Sequence, residues 1–61
     1  MGMSILSYDN MGQVTVDVNG KKYSYWIDAV HIKHVLDLER YAPFKALNFL
    51  KKWCVYYQKE N

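Results

Sequence analysis

Between Gln13 and Ile27 the chain reads QVTVDVNGKKYSYWI: apolar and polar residues alternate, break at Asn19-Gly20, and alternate again. A period of two residues is that of a strand with one face covered, because successive side chains point to opposite sides. Asn-Gly is the dipeptide that most readily takes the positive φ required at both central positions of a type I′ turn. The pattern predicts a β-hairpin, and the turn sets its register. Val18 pairs with Lys21, Val16 with Tyr23 and Val14 with Tyr25, and these share a face with Ile27. The opposite face pairs Asp17 with Lys22, Thr15 with Ser24 and Gln13 with Trp26. Charged and hydroxyl pairs suit solvent. Trp26 does not, so it is either covered by another segment or left as an aromatic anchor at an interface.

The flanking segments complete the expected architecture. Ser4–Tyr8 (SILSY) is a short apolar run that predicts a first strand, and Asp9-Asn10-Met11-Gly12 supplies turn residues after it. Asp28 is placed to cap a helix with Ala29, Ile32, Val35 and Leu36 at helical spacing. That helix is expected to fade near Leu38, where Glu39 interrupts the stripe and Pro43 disfavours helical geometry at Ala42. Pro43 suits the first position of a second helix, expected to run to about Gln58. Its apolar residues, Ala46, Leu47, Phe49, Leu50, Trp53, Cys54, Tyr56 and Tyr57, cover about half the circumference at a helical period. The expected fold is α+β: a three-stranded antiparallel β-meander followed by two helices packed on one face, in one small domain over residues 1–61.

Composition sharpens this picture. A 61-residue chain buries a small share of its surface. Half its residues are hydrophobic and 16% are aromatic, so the core relies on large rings. The lone cysteine, Cys54, has no internal partner for a disulfide. The start, Met1-Gly2-Met3-Ser4, does not read as a secretory signal, and Leu6 stands where a myristoylation motif wants Ser or Thr. No apolar run approaches the ~20 residues of a membrane span. A cytoplasmic, reduced setting is expected. The net charge of +2 neither demands nor excludes an anionic partner.

The candidate chemistry lies mostly on the second expected helix. Lys45, Lys52 and Lys59 recur every seven residues and would form a row flanked by Phe49 and Tyr56. Lysines beside rings can track a phosphate backbone while bases stack, although lysines bordering an apolar stripe also serve as a solvated edge. His31 and His34 share a helical face and could join Asp37 or Cys54 at a metal, but the set is sparse and no metal or other cofactor is expected. A thiol on an apolar face stays protonated. The chain shows no glycine-rich phosphate loop, serine elbow or paired carboxylates. These features argue against an enzyme.

Tyr8-Asp9, the alternating Val14, Val16 and Val18, then Gly20, Tyr23-x-Tyr25 and Ile27 resemble the KTSC domain over about the first 40 residues. This small family occurs alone, in phage-associated proteins, and at the end of some lysyl-tRNA synthetases. The resemblance implies a phage or bacterial accessory protein that binds, with RNA as one ligand class, and does not catalyse.

The sequence thus leads to a small non-catalytic module that binds a protein, with Trp26, Phe49, Trp53 and Tyr56 as candidate contacts. A second copy of the chain is one candidate partner. The alternative is single-stranded nucleic-acid binding through Lys45, Lys52 and Lys59. One continuous positive patch favours nucleic acid; scattered lysines beside an open apolar patch favour protein.

Overall fold

Asn19 and Gly20 form the expected tight turn in a computed structural model that describes residues 2–60. Their φ values are 54° and 86°, the doubly positive signature of type I′. The Asp17 carboxylate accepts a 2.9 Å hydrogen bond from the Gly20 N–H. The turn joins β2 (Gln13–Val18) to β3 (Lys21–Trp26), in the register the alternation dictates from Gln13↔Trp26 to Val18↔Lys21. The same turn anchors the start of the chain. Gly2 N–H donates to the Asn19 side-chain oxygen, and Asn19 N–H donates to the Gly2 carbonyl, both at 3.1 Å.

β1 (Met3–Tyr8) lies antiparallel to β2. The register shifts between Ile5 and Ser7, leaving Leu6 as the extra residue, half-exposed. This bulge bends the free edge of β1. Asp9 organises the turn that follows. Its carboxylate accepts from Met11 N–H at 2.9 Å and Gln13 N–H at 3.0 Å. These donors stabilise the charged form and hold the Asp9 carboxyl below its ordinary value. Gly12 closes the turn at φ 111°, and its carbonyl accepts a hydrogen bond from Ile27 N–H at 2.9 Å. A Cβ on Gly12 would stand 2.0 Å from the Ile27 carbonyl oxygen, so only glycine allows this approach.

After β3, Asp28 accepts from Val30 N–H at 3.2 Å. It caps a single 3₁₀ turn, Ala29–His31, that leads into α1 (Ile32–Tyr41). The helix runs past the expected fade at Leu38, because Glu39 is accommodated half-buried. Ala42 adopts an extended conformation, φ −152° and ψ 82°, as the following proline requires. Pro43 then opens α2 (Pro43–Trp53).

The end of the chain departs from the helical expectation. α2 stops at Trp53, Cys54 turns extended at ψ 145°, and β4 (Tyr56–Glu60) pairs antiparallel with β3. The sheet therefore has four strands in the order β1-β2-β3-β4, and the fold class is α+β. Two forces favour this outcome. Val55, Tyr56 and Tyr57 are strand-forming residues, and without β4 the backbone groups on one side of β3 would lack partners. Val55 N–H donates to the Trp26 carbonyl at 2.8 Å where the pairing begins. Lys59 and Tyr56 consequently belong to a strand and not to a helical row.

One face of the sheet carries Met3, Val14, Val16, Tyr25 and Ile27 into a core completed by Ile32 and Val35 of α1 and Ala46, Leu47 and Leu50 of α2. On the opposite face Ser24 is fully covered. Its hydroxyl donates to the Glu60 carboxylate across β3–β4 and lies 3.2 Å from the Thr15 hydroxyl across β2–β3.

Gly20→Val should cost more than about 1 kcal/mol from backbone strain alone, since nothing lies within 4 Å of its Cβ position. Gly12→Ala should melt lower still despite its smaller side chain, because strain is joined by a backbone clash; thermal melts that rank the two variants the other way would contradict this packing. The Asp9 carboxyl has a folded value depressed below its ordinary 3.8, so its contribution is present above that value and is lost as pH falls through the folded one. Urea melts of the parent should weaken progressively below that ordinary value, and Asp9→Ala should flatten part of the decline.

Candidate functional site

The strand pairing sorts the expected contact residues into two aromatic pairs. Trp26 ends β3 and Tyr56 opens β4, directly opposite it on the face turned away from the helices. Their ring centroids are 5.1 Å apart at 47°. Trp26 is half-buried by this partner, while Tyr56 is exposed. The misfit of Trp26 on its polar face is thus resolved in part by a segment of the chain returning beside it.

Phe49 and Trp53 stand one helical turn apart on α2, with centroids 6.0 Å apart. The histidines of the preceding segment complete this cluster. His34 meets Phe49 edge-on at 4.9 Å, and His31 lies 5.4 Å from Phe49 and 5.8 Å from Trp53. Both imidazoles are therefore engaged with rings. Among the described residues, no group of three or more His, Cys, Asp or Glu side chains converges as metal ligands would. Lys52 Nζ sits 5.7 Å from the Trp53 ring, close enough for a cation–π contact.

The lysines do not form the expected row. Lys45 and Lys52 ride on α2, but Lys59 lies on β4 opposite Tyr23. At that end of the sheet it gathers with Lys21, Lys22 and Glu60 around Gly20, while the Glu60 carboxylate accepts from the Ser24 hydroxyl. The positive charge is split between the helix layer and the hairpin end.

The end of α2 and the start of β4 leave a continuous apolar stretch uncovered. Trp53 is 50% exposed, Val55 85%, and Tyr56 and Tyr57 each 58%. Alternation in β4 sends Tyr56 to the open face and Tyr57 to the helix face. Tyr57 stacks on Tyr25 at 5.7 Å and 24°, and Tyr25 lies 6.3 Å from Tyr23. These rings floor a cleft of about 370 Å³ between the sheet and α2, walled by Val18, Leu47, Lys51 and Cys54. The Cys54 thiol donates to the Lys51 carbonyl at 3.7 Å, just beyond the helix end and half-buried, and not within a helical apolar face.

This cleft was not legible as a helix face, because it exists only when β4 is a strand. The signal that points to it is the run Val55-Tyr56-Tyr57 beside the otherwise unpaired edge of β3. Burial pushes the Tyr25 hydroxyl above its ordinary pKa, and the neighbouring Cys54, Tyr23 and Tyr57 add to the shift.

No protein-family model matches the chain, and no curated protein or solved structure is significantly similar to it. No helix among the described residues is long and apolar enough to cross a membrane.

A direct check of the cleft floor is spectrophotometric titration of the tyrosines. One of them should ionise above the ordinary value of 10.0, and Tyr25→Phe should remove that late phase. Because the folded value is raised, the stability this group contributes is complete below the ordinary value and lost as pH rises through the folded one. Disappearance of a late phase in Tyr8→Phe instead would place the buried hydroxyl elsewhere.

Proposed function

We propose that this chain is a small non-catalytic binding module whose partner is a protein. The observation that carries this reading is the exposed apolar run at the α2–β4 junction. Trp53, Val55, Tyr56 and Tyr57 are each at least half exposed within five consecutive residues. Single apolar side chains on a surface are ordinary, but four large ones this exposed within five residues, with Tyr56 and Tyr57 on opposite faces of β4, are the kind of concentration found at interaction sites. Tryptophan and tyrosine are also enriched among residues that dominate binding energy. The half-buried Trp26 stiffens the patch from the sheet side, and Phe49 supports Trp53 from the helix side. The division of the lysines between α2 and the hairpin end supports protein over a nucleic-acid backbone, which favours a continuous positive stripe.

Affinity capture from a native lysate, with and without nuclease and at two salt concentrations, tests the reading. Trp53→Ser combined with Tyr56→Ser alters positions at least half exposed, and circular dichroism checks that β4 survives the loss of the Tyr56–Trp26 contact. This double variant should weaken capture at least about tenfold, the scale of losing an anchor. Lys45→Gln combined with Lys52→Gln should leave capture within about twofold, because rim charges mainly change association rate. Nuclease-sensitive capture that collapses in the lysine variant and survives in the aromatic one would overturn the proposal in favour of nucleic acid.

A further inference from the structure

The partner's recognised segment can be described further from the free edge of β4 and the cleft beside it. β4 is the last strand in the sheet, and all five of its residues are exposed. Among the described residues no strand neighbours its outer side, which is the arrangement that accepts an added strand from a partner. A peptide paired there would alternate its side chains between the two faces of the sheet, in step with β4. On the helix face β4 presents Tyr57 and then Lys59. Tyr57 also borders the cleft, whose walls contain a single charged residue, Lys51, and no carboxylate.

We propose that β4 and this cleft bind an extended peptide carrying the pattern apolar-x-acidic, as the segment of the partner protein inferred above. The apolar side chain stands opposite Tyr57 and reaches into the space lined by Tyr25, Leu47 and Cys54. The carboxylate, two residues away, returns to the same face and stands opposite Lys59, within the field of Lys51. Directly opposed side chains of unlike charge favour strand pairing, and like charges oppose it. Backbone pairing supplies affinity that is indifferent to sequence, while the cleft and the two lysines supply specificity.

Charge separates this occupant from a second copy of the chain. Antiparallel self-pairing of β4 centred on Gln58 would place Lys59 opposite Tyr57 of the other copy. Glu60 lies on the face turned away from the cleft, opposite Lys22. A second copy would thus add its own Lys59 to the helix face and bring no carboxylate from β4 to it.

The test begins with a displayed library of random seven-residue peptides selected on the full chain. Enrichment of Leu, Ile or Phe followed two positions later by Asp or Glu is expected. A synthetic, fluorescently labelled peptide of the enriched sequence is then titrated against the parent, against Lys51→Glu/Lys59→Glu, and against Lys45→Glu. Circular dichroism checks that each variant keeps its fold. The double reversal should weaken binding at least about tenfold and shift preference to a matched peptide with Lys in place of the acid, while Lys45→Glu stays near the parent. Bound peptide should also slow alkylation of Cys54 at the cleft wall. Failure to enrich any peptide, enrichment of peptides lacking the pattern, or equal binding by the parent and the double reversal would overturn the inference. So would sedimentation showing a dimer that Lys59→Glu dissociates or strengthens, because β4 would then be occupied by a second copy. If lysate capture still depends on Trp53 and Tyr56 while the peptide experiment fails, the protein-binding function stands and only the cleft assignment falls.

Discussion

The antiparallel pairing of β4 with β3 is the constraint on which the other features rest. β3 lies inside the sheet only because the chain, after two helices, returns to its open side. That return covers half of Trp26 with Tyr56 and brings the Glu60 carboxylate to the buried Ser24 hydroxyl. It also lays Tyr57 on Tyr25 and so makes the floor of the cleft. A covered backbone edge without partners is costly, and Tyr56–Glu60 supply that partner to β3. The choice is then decided by side chains. As a strand, Tyr56 and Tyr57 stack on opposite faces against aromatic neighbours already held by the hairpin.

The hairpin was legible because two independent signals agree: a period of two on both sides and a dipeptide suited to positive φ between them. Its register, its two faces and the misfit of Trp26 all follow from that agreement. The start of α2 was equally legible from Pro43. Its end was not, for a physical reason. Leu50, Trp53, Cys54 and Tyr57 continue the helical stripe, while Val55, Tyr56 and Tyr57 have the propensity of a strand, so local pattern alone allows either state. The decision rests on a non-local partner, the edge of β3, roughly thirty residues earlier. Lys59 and Tyr56 moved with that decision, which dissolved the expected lysine row and placed Lys59 beside Tyr23.

The same geometry explains how so short a chain holds together while leaving large rings exposed. The hairpin turn binds the chain start through Asn19 and Gly2, and Gly12 locks the first turn to the end of β3 through Ile27. The core beneath the helices is built mainly from small and medium aliphatic side chains, with Val14, Val16, Val35 and Leu50 fully enclosed. Trp53, Tyr56 and Tyr57 at the α2–β4 junction and Tyr23 and Tyr25 in the floor of the cleft account for half of the aromatic residues. The large exposed rings at this junction therefore stand outside the aliphatic core that holds the sheet and helices together.

The pairing of residues 56–60 beside β3 is directly measurable through nuclear Overhauser contacts of the labelled chain in solution. Cross-strand contacts are expected between Tyr25 and Tyr57 and between Trp26 and Tyr56, with extended-type chemical shifts from Tyr56 to Glu60. Sequential helical amide–amide contacts continuing unbroken from Trp53 through Gln58, without contacts to β3, would contradict it and remove both the free edge and the cleft.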